Sequence, residues 1–195
     1  MIDRRRPVVI KIGGGLSAIP GALESTCAAV AEAGRRASIV VVPGGGPFAD
    51  AVRAFDLEHR VSPDASHWMA MLAMDQYAHV LTEGIDGAVL VEEAGAVVAA
   101  VDPVGVAVLA PSRWMRAADV LPHTWDATSD SVAAFVAGAL DAEQLILVKP
   151  STTGNDAVDR CFSTVLPAGL PYTLLPWNRA SDIPALLRDS ASFQR

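Results

Sequence analysis

Two lysines stand out among the residues that could do chemistry. Lys11 and Lys149 are the only lysines among fifteen basic Lys and Arg side chains. A lysine ammonium is a compact charge on a flexible stem, whereas an arginine guanidinium is a wide planar fork. Each lysine follows an apolar run typical of a buried strand, and α/β proteins bind ligands at the carboxyl ends of their strands. The pattern favours a functional pair, and the alternative is two charges on edge strands.

Two glycine triplets follow two of the apolar runs, at residues 13–15 and 44–46. Glycine lets backbone N–H groups approach a phosphate closely, and a following helix adds partial positive charge. Neither triplet fits the spacing of a P-loop or of a dinucleotide-binding loop. We therefore predict a different kind of phosphate-binding loop, built from Gly13, Gly14, Gly44, Gly45 and Gly46. The alternative is a pair of tight turns that use glycine for steric reasons.

Asp130 lies at the start of a predicted helix, in the segment Thr128–Ser131. Such an acidic residue can simply complement the helix dipole. Because Lys149 ends the next predicted strand, we expect Asp130 instead to pair with the two lysines. Two ammonium groups, glycine N–H groups and an orienting carboxylate would stabilise a phosphoryl group during transfer. The four histidines show no metal-ligand spacing, so no metal site made by the protein is predicted.

Apolar runs alternate with helical patterns along the chain, which is typical of a parallel sheet with helices on its faces. Ser62 and Pro63 form a typical helix start, and Thr128 or Ser129 is the expected cap of the helix that carries Asp130. We predict strands over residues 8–12, 38–42, 88–91, 96–101, 104–110, 145–148 and 172–175. Helices are predicted over residues 20–36, 47–55, 63–83, 130–140 and 182–189.

Composition narrows the class of protein. The 195 residues are 51% hydrophobic and 19% charged, which excludes disorder, and the mean hydropathy of +0.33 favours contacts between subunits of a homo-oligomer. A net charge of −7 argues against nucleic acid as the main partner. No apolar run is long enough to cross a membrane. Two cysteines are too few for a disulfide framework, so a cytoplasmic location is expected.

Four pieces of the sequence resemble the amino acid kinase family, which contains the acetylglutamate, aspartate and uridylate kinases. The pieces are Val9–Gly14, Val42–Pro47, Thr128–Asp130 and Lys149. The resemblance implies a three-layer αβα sandwich with a mainly parallel central sheet. It implies ATP as the donor, Mg²⁺ bound through the phosphates, and a small-molecule acceptor bearing a phosphate or carboxylate. By the same resemblance, Lys11 and Lys149 would stabilise the transferring group, the glycines would donate N–H groups, and Asp130 would organise the lysines.

Two further segments, His67–Tyr77 and Leu121–Ser131, resemble one branch of that family. This branch phosphorylates [5-(aminomethyl)furan-3-yl]methyl phosphate to its diphosphate in the synthesis of methanofuran-type cofactors. His67 and Asp75 lie at i and i+8 of one predicted helix face, and we expect Asp75 to bind the amine of the acceptor. The alternative is a solvated Asp75 beside methionines that only fill the core. Trp125 and Ser129 are further candidates for binding the acceptor.

We expect one domain over residues 1–195, with an acceptor-binding part at 1–140 and a shortened nucleotide-binding part at 141–195. Ser151, Thr152, Asn155 and Asp156 are candidates for a reduced nucleotide loop. If that part does not bind ATP, the fold could serve a non-catalytic oxyanion-binding protein, as in the related molybdenum storage proteins, or a subunit without a ligand. A nucleotide kinase similar to uridylate kinase is the other alternative.

Overall fold

A computed structural model describes residues 6–152 and 157–190 of the chain. Its centre is a six-stranded sheet in the order β3-β4-β2-β1-β5-β6, in which every neighbouring pair is parallel. The strands are β1 (Val8–Ile12), β2 (Ser38–Pro43), β3 (Ala88–Val91), β4 (Gly105–Leu109), β5 (Gln144–Lys149) and β6 (Tyr172–Pro176).

Helices cover both faces of the sheet, which confirms the predicted αβα architecture. They are α1 (Ala22–Gly34), α2 (Gly46–His59), α3 (Pro63–Gly84), α4 (Ala94–Ala100), α5 (Ser112–Ala118), α6 (Ser129–Ala139), α7 (Phe162–Val165) and α8 (Ile183–Ser190). Two 3-10 helices, Gly14–Ala18 and Trp177–Asp182, follow β1 and β6. Ser62 caps α3 as predicted, since its hydroxyl accepts a hydrogen bond from the backbone N of Ala65 at 3.2 Å.

Two apolar clusters, one on each face, form the core. The first joins the sheet to α1 and α8, and the second joins it to α4, α5, α6 and α7. Helix α3 contributes to both, with Tyr77 and Leu81 in the first cluster and Met71 and Met74 in the second. Because β1, β2 and β5 are buried along their whole length, they read in sequence as continuous apolar runs rather than alternating ones.

Sheet register brings the predicted chemistry to one edge. Ile12 pairs with Pro43, so the two glycine loops that follow these residues leave the sheet side by side. Lys11 pairs with Leu147, and Lys149 lies two residues beyond Leu147 on the same strand. Since strand side chains alternate between faces, both lysines project from the same face of the sheet. That face is the one covered by α6, which carries Asp130.

One predicted strand is wrong, because residues 94–100 form helix α4. Alanine favours a helix over a strand, and in this segment Val97 and Val101 are buried one turn apart. Helix α5 was not predicted at all. It is short, and its first residue is capped from another helix by Asp75, a contact that local sequence does not reveal.

No helix among residues 6–152 and 157–190 is both long and apolar enough to span a bilayer.

Candidate active site

Asp130 joins the two lysines in a buried ion triad. The Lys11 Nζ lies 2.9 Å from Asp130 Oδ1, and the Lys149 Nζ lies 2.7 Å from Asp130 Oδ2. The three residues are 4%, 4% and 9% exposed in the order Lys11, Asp130, Lys149. The Lys149 ammonium also donates to the backbone oxygen of Ala157. The structure therefore brings together the three residues that the sequence singles out, at the carboxyl ends of β1 and β5.

Burial and charge act in opposite directions on this triad. Burial lowers the pKa of Lys11 below 10.5, and the nearby Asp130 carboxylate only partly opposes it. Burial alone would raise the pKa of Asp130, but the ammonium groups of Lys11 and Lys149 hold it below its ordinary value. Each carboxylate oxygen of Asp130 thus faces one lysine nitrogen, and a cluster with two lysines for one aspartate suits a bound anion.

The two glycine loops are in backbone contact with each other. A Cβ added at Gly14 would lie 2.2 Å from the backbone N of Gly46, and one at Gly44 would lie 2.3 Å from the N of Gly14. No side chain fits between them. Gly14 begins a 3-10 helix and Gly46 begins α2, so their N–H groups have no partner within their own helices. These groups can donate to an anion.

The N–H groups of Gly13 and Gly44, unlike those of Gly14 and Gly46, already have backbone partners. The N–H of Gly13 donates to the Val148 oxygen, and the N–H of Gly44 donates to the Ile12 oxygen, each at 2.8 Å. Both bonds extend the parallel pairing of the sheet by one residue. These two glycines therefore shape the loops, and their N–H groups are already used, contrary to the prediction that they donate to a phosphate.

A cavity of about 260 Å³ opens over the glycine loops. Among the residues predicted to bind the acceptor, Gly14, Gly45, Gly46, His67, Trp125 and Ser129 line it. The wall also contains Gly15, Ala49, Asp50, Arg53, Ser66, Ala70, Met71, Met74, Thr124, Ala127 and Thr128. The cavity wall thus combines backbone N–H donors of the glycine loops with apolar side chains of α3.

Arg53 is a charged wall residue that the sequence reasoning missed. Its guanidinium carbon lies 4.6 Å from the centre of the Trp125 ring, and one nitrogen lies 3.1 Å from Asp50 Oδ1. The Trp125 indole is itself held by a 2.8 Å hydrogen bond from its Nε1 to Asp56 Oδ2. Arg53 lies seven residues, or about two helical turns, after Gly46. This spacing from the glycine loop was the signal in the sequence that could have identified Arg53 as a site residue.

His67 lies against a second histidine at the cavity wall. The rings of His67 and His123 are stacked, with centres 4.1 Å apart. Hydrogen bonds from the His123 ring to the carboxylates of Asp64 and Asp119 raise the pKa of His123, whereas burial, together with His123, lowers the pKa of His67. The two histidines therefore differ in pKa, and near neutral pH the His67 ring is uncharged.

Asp75 does not line this cavity, and the expectation that it binds the amine of the acceptor stays a prediction. Its Oδ1 accepts a 2.9 Å hydrogen bond from the backbone N of Ser112, and its Oδ2 accepts one from the Ser112 hydroxyl. Eight residues along a helix rotate a side chain by about 80° relative to the starting residue. His67 and Met71 therefore face the cavity while Asp75 faces α5.

The segment after β5 was predicted to bind the nucleotide. Ser151 is exposed and Thr152 is half-buried, while Asn155 and Asp156 lie outside the described residues. Asp159, which no sequence pattern marks, lies near the triad and accepts hydrogen bonds from the first turn of α6.

In the described part of the chain, no group of three or more His, Cys, Asp or Glu residues could hold a metal ion. Magnesium binding through phosphates stays a prediction.

Comparison with known proteins connects this arrangement to a family. The family profile described as the amino acid kinase family matches residues 6–151. The chain is 30% identical over 139 residues to the [5-(aminomethyl)furan-3-yl]methyl phosphate kinase of Methanocaldococcus jannaschii. That alignment covers 71% of this chain and 63% of the relative, so the chain spans less than two thirds of the relative's length.

Two solved uridylate kinases share the fold. The enzyme from Bacillus anthracis aligns with a TM-score of 0.64 and 12% identity, over 93% of each chain. The enzyme from Archaeoglobus fulgidus aligns with a TM-score of 0.57 and 17% identity, over 75% of this chain and 63% of that one. At these identities the likeness concerns the fold alone.

Proposed function

The chain belongs to the amino acid kinase family, and on that premise we propose that it transfers a phosphoryl group from ATP to a small acceptor bearing a phosphate. The observation that carries the proposal is the buried triad of Lys11, Asp130 and Lys149 beside two glycine loops and a cavity. Phosphoryl transfer needs fixed positive charge around the moving group more than it needs covalent chemistry. ATP would supply the phosphoryl group, with Mg²⁺ held by its phosphates.

Each residue of the triad has a distinct role in this proposal. The Lys11 ammonium stabilises the negative charge that develops on the equatorial oxygens of the transferring group. Lys149 does the same from the neighbouring strand, and Asp130 holds both ammonium groups so that no reorganisation is needed during the reaction. The N–H groups of Gly14 and Gly46 hold the attacking phosphate.

The acceptor that best suits the cavity carries a phosphate at one end and a cation at the other. We take it to be [5-(aminomethyl)furan-3-yl]methyl phosphate, the substrate in the name of the archaeal relative. The N–H groups of Gly14 and Gly46 hold its phosphate, and the apolar wall of Met71 and Met74 suits its furan ring. Asp50, an acidic residue of the wall, is a second candidate beside Asp75 for the partner of the amine.

The test is an assay of purified protein with ATP, Mg²⁺ and this phosphate ester, followed by ³¹P NMR. We expect a diphosphate resonance to appear with the wild type. Lys11→Arg keeps the charge but needs more room than a site that is 4% exposed provides. We expect it to lower kcat by about 10²- to 10³-fold, while the protein still folds.

Arg36→Lys, an exchange at an exposed site, is the control and should leave kcat unchanged. Wild-type turnover in Lys11→Arg would contradict the proposed role of the ammonium. Phosphorylation of UMP instead of the furan phosphate would identify a nucleotide kinase on the same fold. Tight phosphate or molybdate binding without turnover of ATP would identify an oxyanion-binding protein.

A further inference from the structure

Asp159 makes an unusually complete set of contacts with the start of helix α6. Its Oδ2 accepts hydrogen bonds from the backbone N and the hydroxyl of Thr128, at 2.9 and 2.8 Å, and from the backbone N of Ser131 at 2.9 Å. Its Oδ1 accepts a hydrogen bond from the Ser131 hydroxyl. Thr128 is the N-cap residue, yet its own side chain makes no bond to the helix N–H groups. A residue 31 positions later therefore caps α6.

The backbone of Asp159 reaches the triad itself. Its N–H donates to Asp130 Oδ2 at 3.3 Å, which is the same oxygen that receives the Lys149 ammonium. Two residues earlier, the oxygen of Ala157 accepts from that ammonium. The short segment 157–159 thus contacts both members of the ion pair, and the Asp159 carboxylate anchors this segment to α6.

We infer that Asp159 is a positioning residue: its carboxylate fixes segment 157–159 against α6 and thereby orients Asp130 and both lysines for transfer. The inference rests on the proposed function for its catalytic consequence and on the hydrogen bonds for its geometry. Without the carboxylate, the segment loses its anchor, Lys149 loses the Ala157 oxygen, and Asp130 loses a donor. Displacement of catalytic groups by about 1 Å can cost about 100-fold in rate.

Lysine chemistry makes this testable without any substrate. The chain has two lysines, so protein grown with ¹³C-labelled lysine gives two side-chain signals, both from the triad. We expect Asp159→Asn to shift both signals. Lys11 should also titrate at lower pH, because burial already lowers its pKa, the lost Asp159 charge no longer raises it, and a misplaced Asp130 opposes burial less. Lys149 and Asp159 are the other charged groups that act on Lys11.

The matched control is Arg160→Gln. It removes the exposed 3.2 Å ion pair with Asp126, which joins the same two segments without touching Asp130. We expect its lysine signals and its kcat to match the wild type. In Asp159→Asn we expect kcat to fall by about 100-fold, with the KM for the furan phosphate within about twofold, since Asp159 does not line the cavity.

Each outcome decides the inference. If Asp159→Asn shifts neither lysine signal, or if Arg160→Gln shifts them equally, Asp159 is a structural residue only. Should Asp159→Asn fail to fold, Ser131→Ala removes one of the same hydrogen bonds and should shift the signals in the same direction by less; unchanged signals there would overturn the inference. Because the NMR readout needs no acceptor, a wild type that transfers no phosphate would refute the proposed function and leave this result standing.

Discussion

At the scale of single residues, the surroundings of Lys11 give it a pKa that differs from that of an ordinary lysine. It lies on a central strand, is 4% exposed, and has Asp130 at 2.9 Å as its counterion. Burial disfavours its charge while the carboxylate favours it. The pKa of Lys11 therefore lies below that of an exposed lysine.

This balance predicts an alkaline limit to turnover. Because the pKa of Lys11 lies below 10.5, kcat should fall at lower pH than for an exposed lysine, as the ammonium loses its proton and its charge. Two other buried groups titrate later, since burial raises the pKa of Cys27 to about 11 and that of Tyr77 to about 12. Measuring kcat from neutrality to pH 10.5 checks this, and a flat profile would argue against a charged Lys11 in the reaction.

Residue identity alone could predict the triad but not its surroundings. Lys11 and Lys149 were recognisable because lysine is rare in this arginine-rich chain. Asp130 was recognisable because it lies at the predicted start of the helix that precedes the strand of Lys149. Asp159 left no comparable signal, because its carboxylate acts on residues about 30 positions away in sequence. The contact between Asp75 and Ser112 had no signal for a related reason, since helical spacing gives the direction of a side chain but not the neighbour it meets.

At the scale of elements, strands and glycine loops could be predicted well. The buried runs of β1, β2 and β5 and the turns after them need only local sequence. Helix α4 could not be recognised in this way, because a short run of alanine and valine suits either a strand or a helix and only packing decides. The roles of Gly13 and Gly44 depended on how far the sheet hydrogen bonds continue, which sequence does not show.

Contact between the two glycine loops gives a prediction at this scale. In Gly14→Ala, the added Cβ would meet the Gly46 backbone at 2.2 Å, so the loops must separate. We expect a loss of about 1–3 kcal/mol in the free energy of unfolding, measured by urea denaturation, together with a raised KM for the acceptor. Gly95→Ala on α4 is the control, because a Cβ there meets nothing within 4 Å; an equal loss in both variants would refute the steric argument.

At the scale of the whole molecule, exposed apolar side chains are a second indication, beside the mean hydropathy, that subunits associate. Leu72 and Val80 on α3 are 49% and 39% exposed, and Phe55 and Leu57 on α2 are 45% and 77% exposed. Since α2 and α3 pack against each other, contacts with other subunits on these two helices would remove such side chains from water. The expected homo-oligomer stays a prediction, and these helices are where we expect its contacts.

Light scattering after gel filtration tests this. We expect a mass above the 20.4 kDa of one chain, and a lower mass in the double variant Leu72→Glu and Val80→Glu, since buried charges would oppose the contact. Val104→Glu changes a side chain that is 40% exposed just before β4 and should leave the mass unchanged. A wild type that runs as a single chain would contradict the prediction.

The position of β1 in the sheet also sets when the protein can assemble its chemistry. This strand lies between β2, which is near in sequence, and β5, whose first residue is Gln144. Until the ribosome has made β5, β1 keeps one open apolar edge of the kind that recruits other chains into aggregates. Closing that edge joins distant parts of the polypeptide, which is a slow event in folding. The same event brings Lys149 to Lys11, so covering this edge of β1 and joining the two lysines are one step.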